Sequence, residues 1–398
     1  MSSNPIFCEI IKNHIADSAE QRITFAEYMD MVLYDPQYGY YSTEAVNLGK
    51  KGDFFTSVHL GKDFGEMLAI QFVDMWESLG KPAKFSLVEM GAGQGYLATD
   101  ILNYLQQNYS DIFQVFEYII IEKSPILQKQ QQQKLKDFTV SWCSWEELSD
   151  NSIVGCFFSN ELVDAFPVHQ FIVNQGKISE VFVTHESLLP IESSPKSNDD
   201  WENSFIELTG EISTSKLISY FELIDININV YADEYRSEVN LAALDWLTTV
   251  SAKLQKGYLL TIDYGYSATR YYNPRRHQGN LQCYYQHQRH DNPYINIGKQ
   301  DITTHVDFTA LELWGEKCGL KKVGFIQQAL FLMALGLGTR ISQIADSKLP
   351  INQILQRRDR LQQLLDPMGL GNFGVLIQSK ELRDVESSVN LKGLVIPD

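Results

Sequence analysis

The chain is short of cysteine, of positive charge and of long apolar runs, and each shortage excludes a class of protein. Its 398 residues include five cysteines, Cys8, Cys143, Cys156, Cys283 and Cys318, an odd number with no Cys-x-x-Cys pair, so neither a disulfide scaffold nor a zinc ribbon is expected. Lysine and arginine total 33 against 50 aspartates and glutamates, a formal net charge of −17, which argues against a general binder of nucleic-acid backbone. The local exception is the basic stretch YYNPRRHQ at 271–278. No segment approaches the roughly 18 apolar residues of a membrane span. The first residues lack a charged segment followed by an apolar core, and Arg22 is the first arginine. The expectation is a soluble, cytoplasmic protein with neither a secretory nor an organellar presequence.

What is present is a hydrophobic fraction of 44% and a charged fraction of 21%, ordinary for a globular chain longer than one domain. The first eighty residues read as helices. Ile6, Phe7, Ile10, Ile11 and Ile15 keep helical spacing, and Thr24 with Glu27 forms a capping box opening a helix that must stop before Pro36. From Phe85 strands and helices alternate, the pattern of a parallel α/β sheet. Strands are predicted at 85–90, 117–121, 138–142, 153–159, 257–265, 321–328 and 373–379, seven in all, with helices starting near Gly95 and Ser124 and others near 241–254 and 308–318. The rhythm breaks between about 168 and 235, where HQFIVNQGKISEVFVTH reads as a hairpin and ESSPKSNDDWE as a loop. The run QKQQQQKLK at 128–136 reads as a solvated helix face, and there is no internal repeat. The domain expectation is therefore an N-terminal helical cap (1–80), a first half of the core (81–165), an insertion building a substrate cleft (166–237), and a second half (238–398) carrying a long polar loop at 270–307.

The turn VEMGAGQGYLA at 88–98 places Gly91, Gly93 and Gly95 between a strand and a helix start. Glycine tolerates positive φ and lets a ligand approach the backbone, so such a turn is a candidate cofactor cradle, although glycine can also serve packing alone. A dinucleotide turn needs its third glycine five residues after the first, where this chain has Tyr96, and a phosphate-binding loop needs Gly-Lys-Ser/Thr. Both patterns fail. What remains is Glu89 two residues before the first glycine and Glu122 at the end of the next strand. A carboxylate there can accept two hydrogen bonds from a ribose diol. That combination describes S-adenosyl-L-methionine better than a dinucleotide.

Six separated segments, ITFAEYMDMVLYDPQYGYYS (23–42), GDFFTS (52–57), VEMGAGQGYLATDIL (88–102), SNELVDAFPVHQF (159–171), LLTIDYGY (259–266) and QDITTHVDFTAL (300–311), together resemble the MidA family. Its members are class I methyltransferases, and the mitochondrial ones are complex I assembly factors with protein arginine methyltransferase activity. The resemblance covers about residues 23–379. It departs at VHLGKDFGE (58–66), where the family has Pro-Glu-Ile-Ser before Phe-Gly-Glu, so that His59 replaces an acid. The fold implied is a Rossmann-like, seven-stranded class I core with an N-terminal helical cap and a substrate-cleft insertion.

The resemblance also implies that the loop carrying Asp53, Thr56 and Ser57 closes over the cofactor, with Phe54 and Phe55 able to cover a ligand. In an open parallel sheet ligands bind at the carboxyl ends of the strands. Ser159, Asn160, Glu161 and Asp164 are delivered there, Ser159 toward the cofactor and Asn160, Glu161 and Asp164 as catalytic candidates; an ordinary helix cap with a solvated glutamate is the alternative. Asp263 is read equally as a turn residue or a substrate contact. In the polar loop, Asp301, Thr303, His305 and Asp307 are candidates for the substrate wall. Cys283, His287 and His290 lack a fourth ligand and knuckle spacing, so no metal is expected.

The reaction expected is methyl transfer from S-adenosyl-L-methionine to a protein side chain, arginine, by symmetric dimethylation. The partner the resemblance implies is the 49-kDa-type subunit of complex I or NDH-1, with assembly as the purpose. A non-catalytic assembly chaperone and a small-molecule methyltransferase are the alternatives. No nucleic acid and no membrane insertion are expected, and the sequence does not give the oligomeric state.

Overall fold

The computed structural model describes residues 3–43, 57–189, 204–286, 288–344, 350–383, 386 and 390–396. The chain forms two compact units, each assembled from three separate stretches: Met1–Phe54 with Asp164–Asp245 and Tyr266–Ala310, and Phe55–Val163 with Trp246–Gly265 and Leu311–Asp398.

In the first unit, α1 (Pro5–Asp17) starts at Asn4, whose side chain accepts from the amides of Ile6 and Phe7. Helix α2 (Phe25–Tyr34) starts at Thr24, whose hydroxyl accepts from the Glu27 amide at 3.1 Å. The insertion is an antiparallel sheet. His169–Asn174 and Lys177–His185 pair across the two-residue turn Gln175-Gly176, both at positive φ, the geometry that matches the natural twist of a hairpin. Ile23–Thr24, Phe205–Gly210 and Arg236–Val239 complete the sheet. The stretch read as an irregular loop contains a small sheet of its own, made by Gln282–Tyr285, Gln288–His290 and Asp301–Thr303. It packs with the first unit rather than the second half of the core: Tyr28 donates to the Pro293 carbonyl at 2.9 Å and Tyr41 to Asp301 at 2.8 Å.

The second unit holds the seven-stranded sheet: β1 (Phe85–Met90), β2 (Phe116–Ile121), β3 (Val140–Cys143), β4 (Ile153–Asn160), β5 (Leu254–Asp263), β6 (Lys321–Gln327) and β7 (Gly374–Lys380), in the order β6-β7-β5-β4-β1-β2-β3. Strands β1 to β5 pair in parallel, and β7 runs antiparallel to both β5 and β6. All six residues of β1 are buried, as a strand covered by helices on both faces must be. Helices α3 (Asp63–Ser78), α4 (Tyr96–Asn108), α5 (Ser110–Val115) and α6 (Pro125–Lys134) belong to this unit. The expected cap of 1–80 is thus divided. Its third helix carries Phe64, Met67, Leu68, Phe72 and Met75 into the sheet's core, where Phe72 meets Phe158 at 4.9 Å between ring centroids. The order of the strands reverses at β1, with β2 and β3 added on one side and β4 and β5 on the other, and such a switch point opens a crevice at the strands' carboxyl ends.

Candidate active site

The turn after β1 is left-handed at Gly91 (φ 71°), Gly93 (φ 51°) and Gly95 (φ 76°), a conformation that strains residues with a Cβ. A Cβ on Gly91 would also stand 2.7 Å from Leu162 Cδ1, which puts the turn against the loop that leaves β4. Gly95 caps α4 with no side-chain hydrogen bond, so the amides of the first helical turn stay available to a ligand.

Two carboxylates flank the turn. Glu89 is buried and accepts a hydrogen bond from the Tyr118 hydroxyl at 2.6 Å. Burial pushes its carboxyl up to about 7, against the pull of that hydroxyl, and the neighbouring Glu122 adds to the rise. Glu122 takes the Ser124 amide on one oxygen and the Gln131 Nε2 on the other, each at 2.9 Å. Partial burial raises its pKa too, and those two bonds oppose the rise.

Gln131 corrects the reading of its segment as a solvated face. It is fully buried, donates to the Gly93 carbonyl at 2.8 Å as well as to Glu122, and accepts from Trp142 Nε1 at 2.9 Å. One amide therefore ties the glycine turn to the end of β2 and to β3. The sequence held a signal for this: Leu127, Gln131 and Leu135 fall four apart and are all buried, one stripe of a helix.

At the end of β4, Ser159 Oγ and Asn160 Oδ1 are buried without a hydrogen-bond partner. Asn160 Nδ2 donates to Glu161 Oε1 at 3.0 Å, and Glu161 has φ 52°, uncommon for a residue with a long side chain. No helix begins at Asn160. A short turn, Val163–Ala165, follows instead, so Asp164 is not one helical turn from Glu161. Asp164 is buried in the first unit, with its carbonyl accepting from the Thr304 amide at 2.8 Å. Asp263, at the end of β5, braces this loop: its Oδ2 accepts from the amides of Leu162 and Val163 at 3.2 and 2.9 Å, and its Oδ1 from that of Tyr264 at 2.9 Å.

The other candidates fall elsewhere. Asp53, Phe54, Phe55, Thr56 and His287 lie outside the described residues. Ser57 is buried, its hydroxyl accepting from Gln328 Nε2 at 3.3 Å. His59 sets its ring edge against Tyr96 at 5.7 Å, and burial, then Lys134, lowers its pKa. Asp307 caps the helix Phe308–Lys317 and accepts from the Tyr220 hydroxyl at 3.0 Å. Cys283 and His290 are register partners in a hairpin, and among the described residues no group of three or more acidic, histidine or cysteine side chains could hold a metal.

These features fit S-adenosyl-L-methionine: a glycine turn left-handed at Gly91, Gly93 and Gly95, a positioned carboxylate at the next strand end, and unfilled polar atoms at Ser159 and Asn160. A profile of S-adenosyl-L-methionine-dependent methyltransferases matches residues 67–326. The chain belongs to that family. It is a methyltransferase of the class I fold, with S-adenosyl-L-methionine as cofactor. A crystal structure of a methyltransferase-like protein from Burkholderia thailandensis bound to S-adenosyl-homocysteine superposes with a TM-score of 0.82 at 27% identity, covering 98% of this chain and 94% of that one. The protein arginine methyltransferase NDUFAF7 homolog of Drosophila melanogaster is 29% identical over 373 residues, 88% of this chain and 79% of the relative. Human NDUFAF7 is 27% identical over 380 residues, 91% and 81% respectively. Both relatives are named as mitochondrial, which gives the cytoplasmic expectation no support. Among the described residues no helix is long and apolar enough to cross a membrane.

Proposed function

We propose that this methyltransferase symmetrically dimethylates an arginine of a protein substrate, the 49-kDa-type subunit of complex I or NDH-1, and so supports assembly of that complex. The kinship with enzymes named as protein arginine methyltransferases supports the substrate class. The observation that carries the site assignment is the left-handed backbone of Glu161 at the end of β4, beside the glycine turn, with its carboxylate steadied by Asn160. Strained non-glycine residues persist where the surroundings over-determine them, and they concentrate at functional sites.

In this reading Gly91, Gly93 and Gly95 admit the cofactor, Glu122 holds its ribose hydroxyls, and Glu89, Ser159 and Ser57 complete its surroundings. S-adenosyl-L-methionine supplies an electrophilic methyl group on a sulfonium. The task left to the side chains is positioning, because an attacking nitrogen must come within about 3–3.5 Å of its target with its orbital aligned. A guanidinium stays protonated and its lone pairs are delocalised. Glu161 pairs with it, fixes its plane and draws positive charge away from the attacking nitrogen. The test is mass spectrometry of complex I subunits from cells with and without this protein, joined to transfer of labelled methyl in vitro. Symmetric dimethylarginine that disappears with the protein supports the proposal; methyl-lysine alone, or an unchanged subunit, overturns it.

A further inference from the structure

The basic stretch noted in the sequence is not absorbed by the methyl-transfer site. Six arginines of the first unit fall outside and inside it unequally. Arg22 pairs with Glu20 and Arg236 with Glu207, whereas Arg270, Arg275, Arg276 and Arg289 have no carboxylate within 4.0 Å among the described residues. In a chain of net charge −17, four unneutralised arginines within twenty residues are a local reversal of sign.

Two of them share one platform. The Arg270 and Arg276 guanidinium carbons stand 4.3 and 4.2 Å from the centroid of the Tyr266 ring, which is itself stacked on His305 at 4.7 Å with 12° between planes. Arg289, on the small three-stranded sheet, lies near enough that its charge, with those of Arg276 and Arg270, lowers the pKa of His305. Burial is the larger cause, and together they bring it to about 4, so the imidazole is a neutral ring at physiological pH. Arg270 and Arg289 are exposed and Arg276 is half-buried. Beside them, Asn280 is buried, with its Oδ1 accepting from Arg276 Nη1 at 3.2 Å and its Nδ2 unfilled.

A guanidinium held over a ring loses less freedom when it meets a carboxylate in a two-pronged fashion. A nucleic acid would extend beyond the patch onto a surface of the opposite sign, whereas a short acidic peptide would not. We propose that Arg270 and Arg276, braced on the Tyr266–His305 stack, with the exposed Arg289 of the small sheet adding charge, dock an acidic peptide segment of the protein substrate, an inference that rests on the reading of a protein as the methyl acceptor.

The test titrates the full chain at low salt with three fluorescent probes: a hexaglutamate peptide, a hexaglutamine peptide and a short single-stranded oligonucleotide. Hexaglutamate binds, and R270Q/R276Q weakens it by about tenfold or more, the loss expected for charge-assisted hydrogen bonds. R289Q weakens it by less, R270K/R276K retains part of the affinity, and S-adenosyl-L-methionine binding is unchanged in all three variants. Should the double glutamine variant lose cofactor binding, and with it the fold, the exposed R289Q decides the question. Equal hexaglutamate affinity in wild type and variants, equal binding of hexaglutamine, or a preference for the oligonucleotide overturns the proposal. With a methylated protein substrate in hand, R270Q/R276Q raises KM and keeps kcat. An unchanged KM removes the docking role and leaves arginine methylation standing. Failure to methylate any protein removes the latter, while the peptide titration still decides the site.

Discussion

Gln131 Nε2 lies 2.9 Å from Glu122 Oε2 and donates in the same stroke to the Gly93 carbonyl at 2.8 Å. The carboxylate assigned to the ribose and the turn assigned to the rest of the cofactor are thereby held by one buried amide. Gln131→Leu keeps the volume and strips the amide from three partners, Trp142 included. Each unmet buried group costs about 1–3 kcal/mol, so the melting temperature should drop and cofactor affinity should fall about tenfold. Calorimetry of the variant checks this, and full affinity would mean that the turn holds itself.

Gly93→Val places a β-branched residue at φ 51°, where such residues are genuine outliers. S-adenosyl-L-methionine binding should fall below detection in calorimetry. Unchanged affinity would remove the assignment of this turn.

For Glu161, two substitutions separate chemistry from strain. Glu161→Gln keeps the shape and removes the charge, so dimethylarginine formation should be lost while cofactor binding persists. Glu161→Gly relieves the left-handed backbone, and should raise stability by about 1 kcal/mol while abolishing activity. A Glu161→Gln protein with wild-type turnover would end the catalytic role.

Asp263 accepts three backbone N–H groups and is fully buried. Asp263→Ala leaves those donors unmet and frees the loop after β4. A loss of about 2–4 kcal/mol in chemical denaturation is expected, with kcat falling alongside. An activity loss without any stability loss would instead make Asp263 a substrate contact.

Glu89 sets a pH dependence. Its folded pKa, about 7, lies above the ordinary value of 4.5, so the folded state binds the proton more tightly. The stabilisation is full below 4.5 and is lost as pH rises through 7. Melting temperatures should decline from pH 5 to pH 8, and Glu89→Gln should flatten that decline by about 1–3 kcal/mol. Asp307, also raised to about 7, acts in the same direction, so part of the slope survives in the variant. His305, lowered from 6.5 to about 4, acts in the opposite sense: its contribution is present above 6.5 and lost as pH falls through 4. A slope identical in wild type and Glu89→Gln would show that Glu89 is ionised in the fold.

The central strands of the sheet were legible in the sequence because they are apolar runs with turn signals at their ends, the edge strands VSWC and KKVGFIQ because they keep the strand–helix alternation, and the hairpin because alternation flanks Gln175-Gly176. The glycine turn excluded dinucleotides by spacing alone. The role of Gln131 was not legible, since a glutamine among glutamines becomes a core residue only when its partners, Gly93, Glu122 and Trp142, arrive from three other elements. The same holds for Asp263, two of whose three amide partners, Leu162 and Val163, lie about a hundred residues earlier in the chain. Propensity and hydrophobic period are local, and they specify which segments become strands and helices. Which polar atoms are satisfied, and which remain open to a ligand, depends on long-range pairing, and tertiary structure alone decides it.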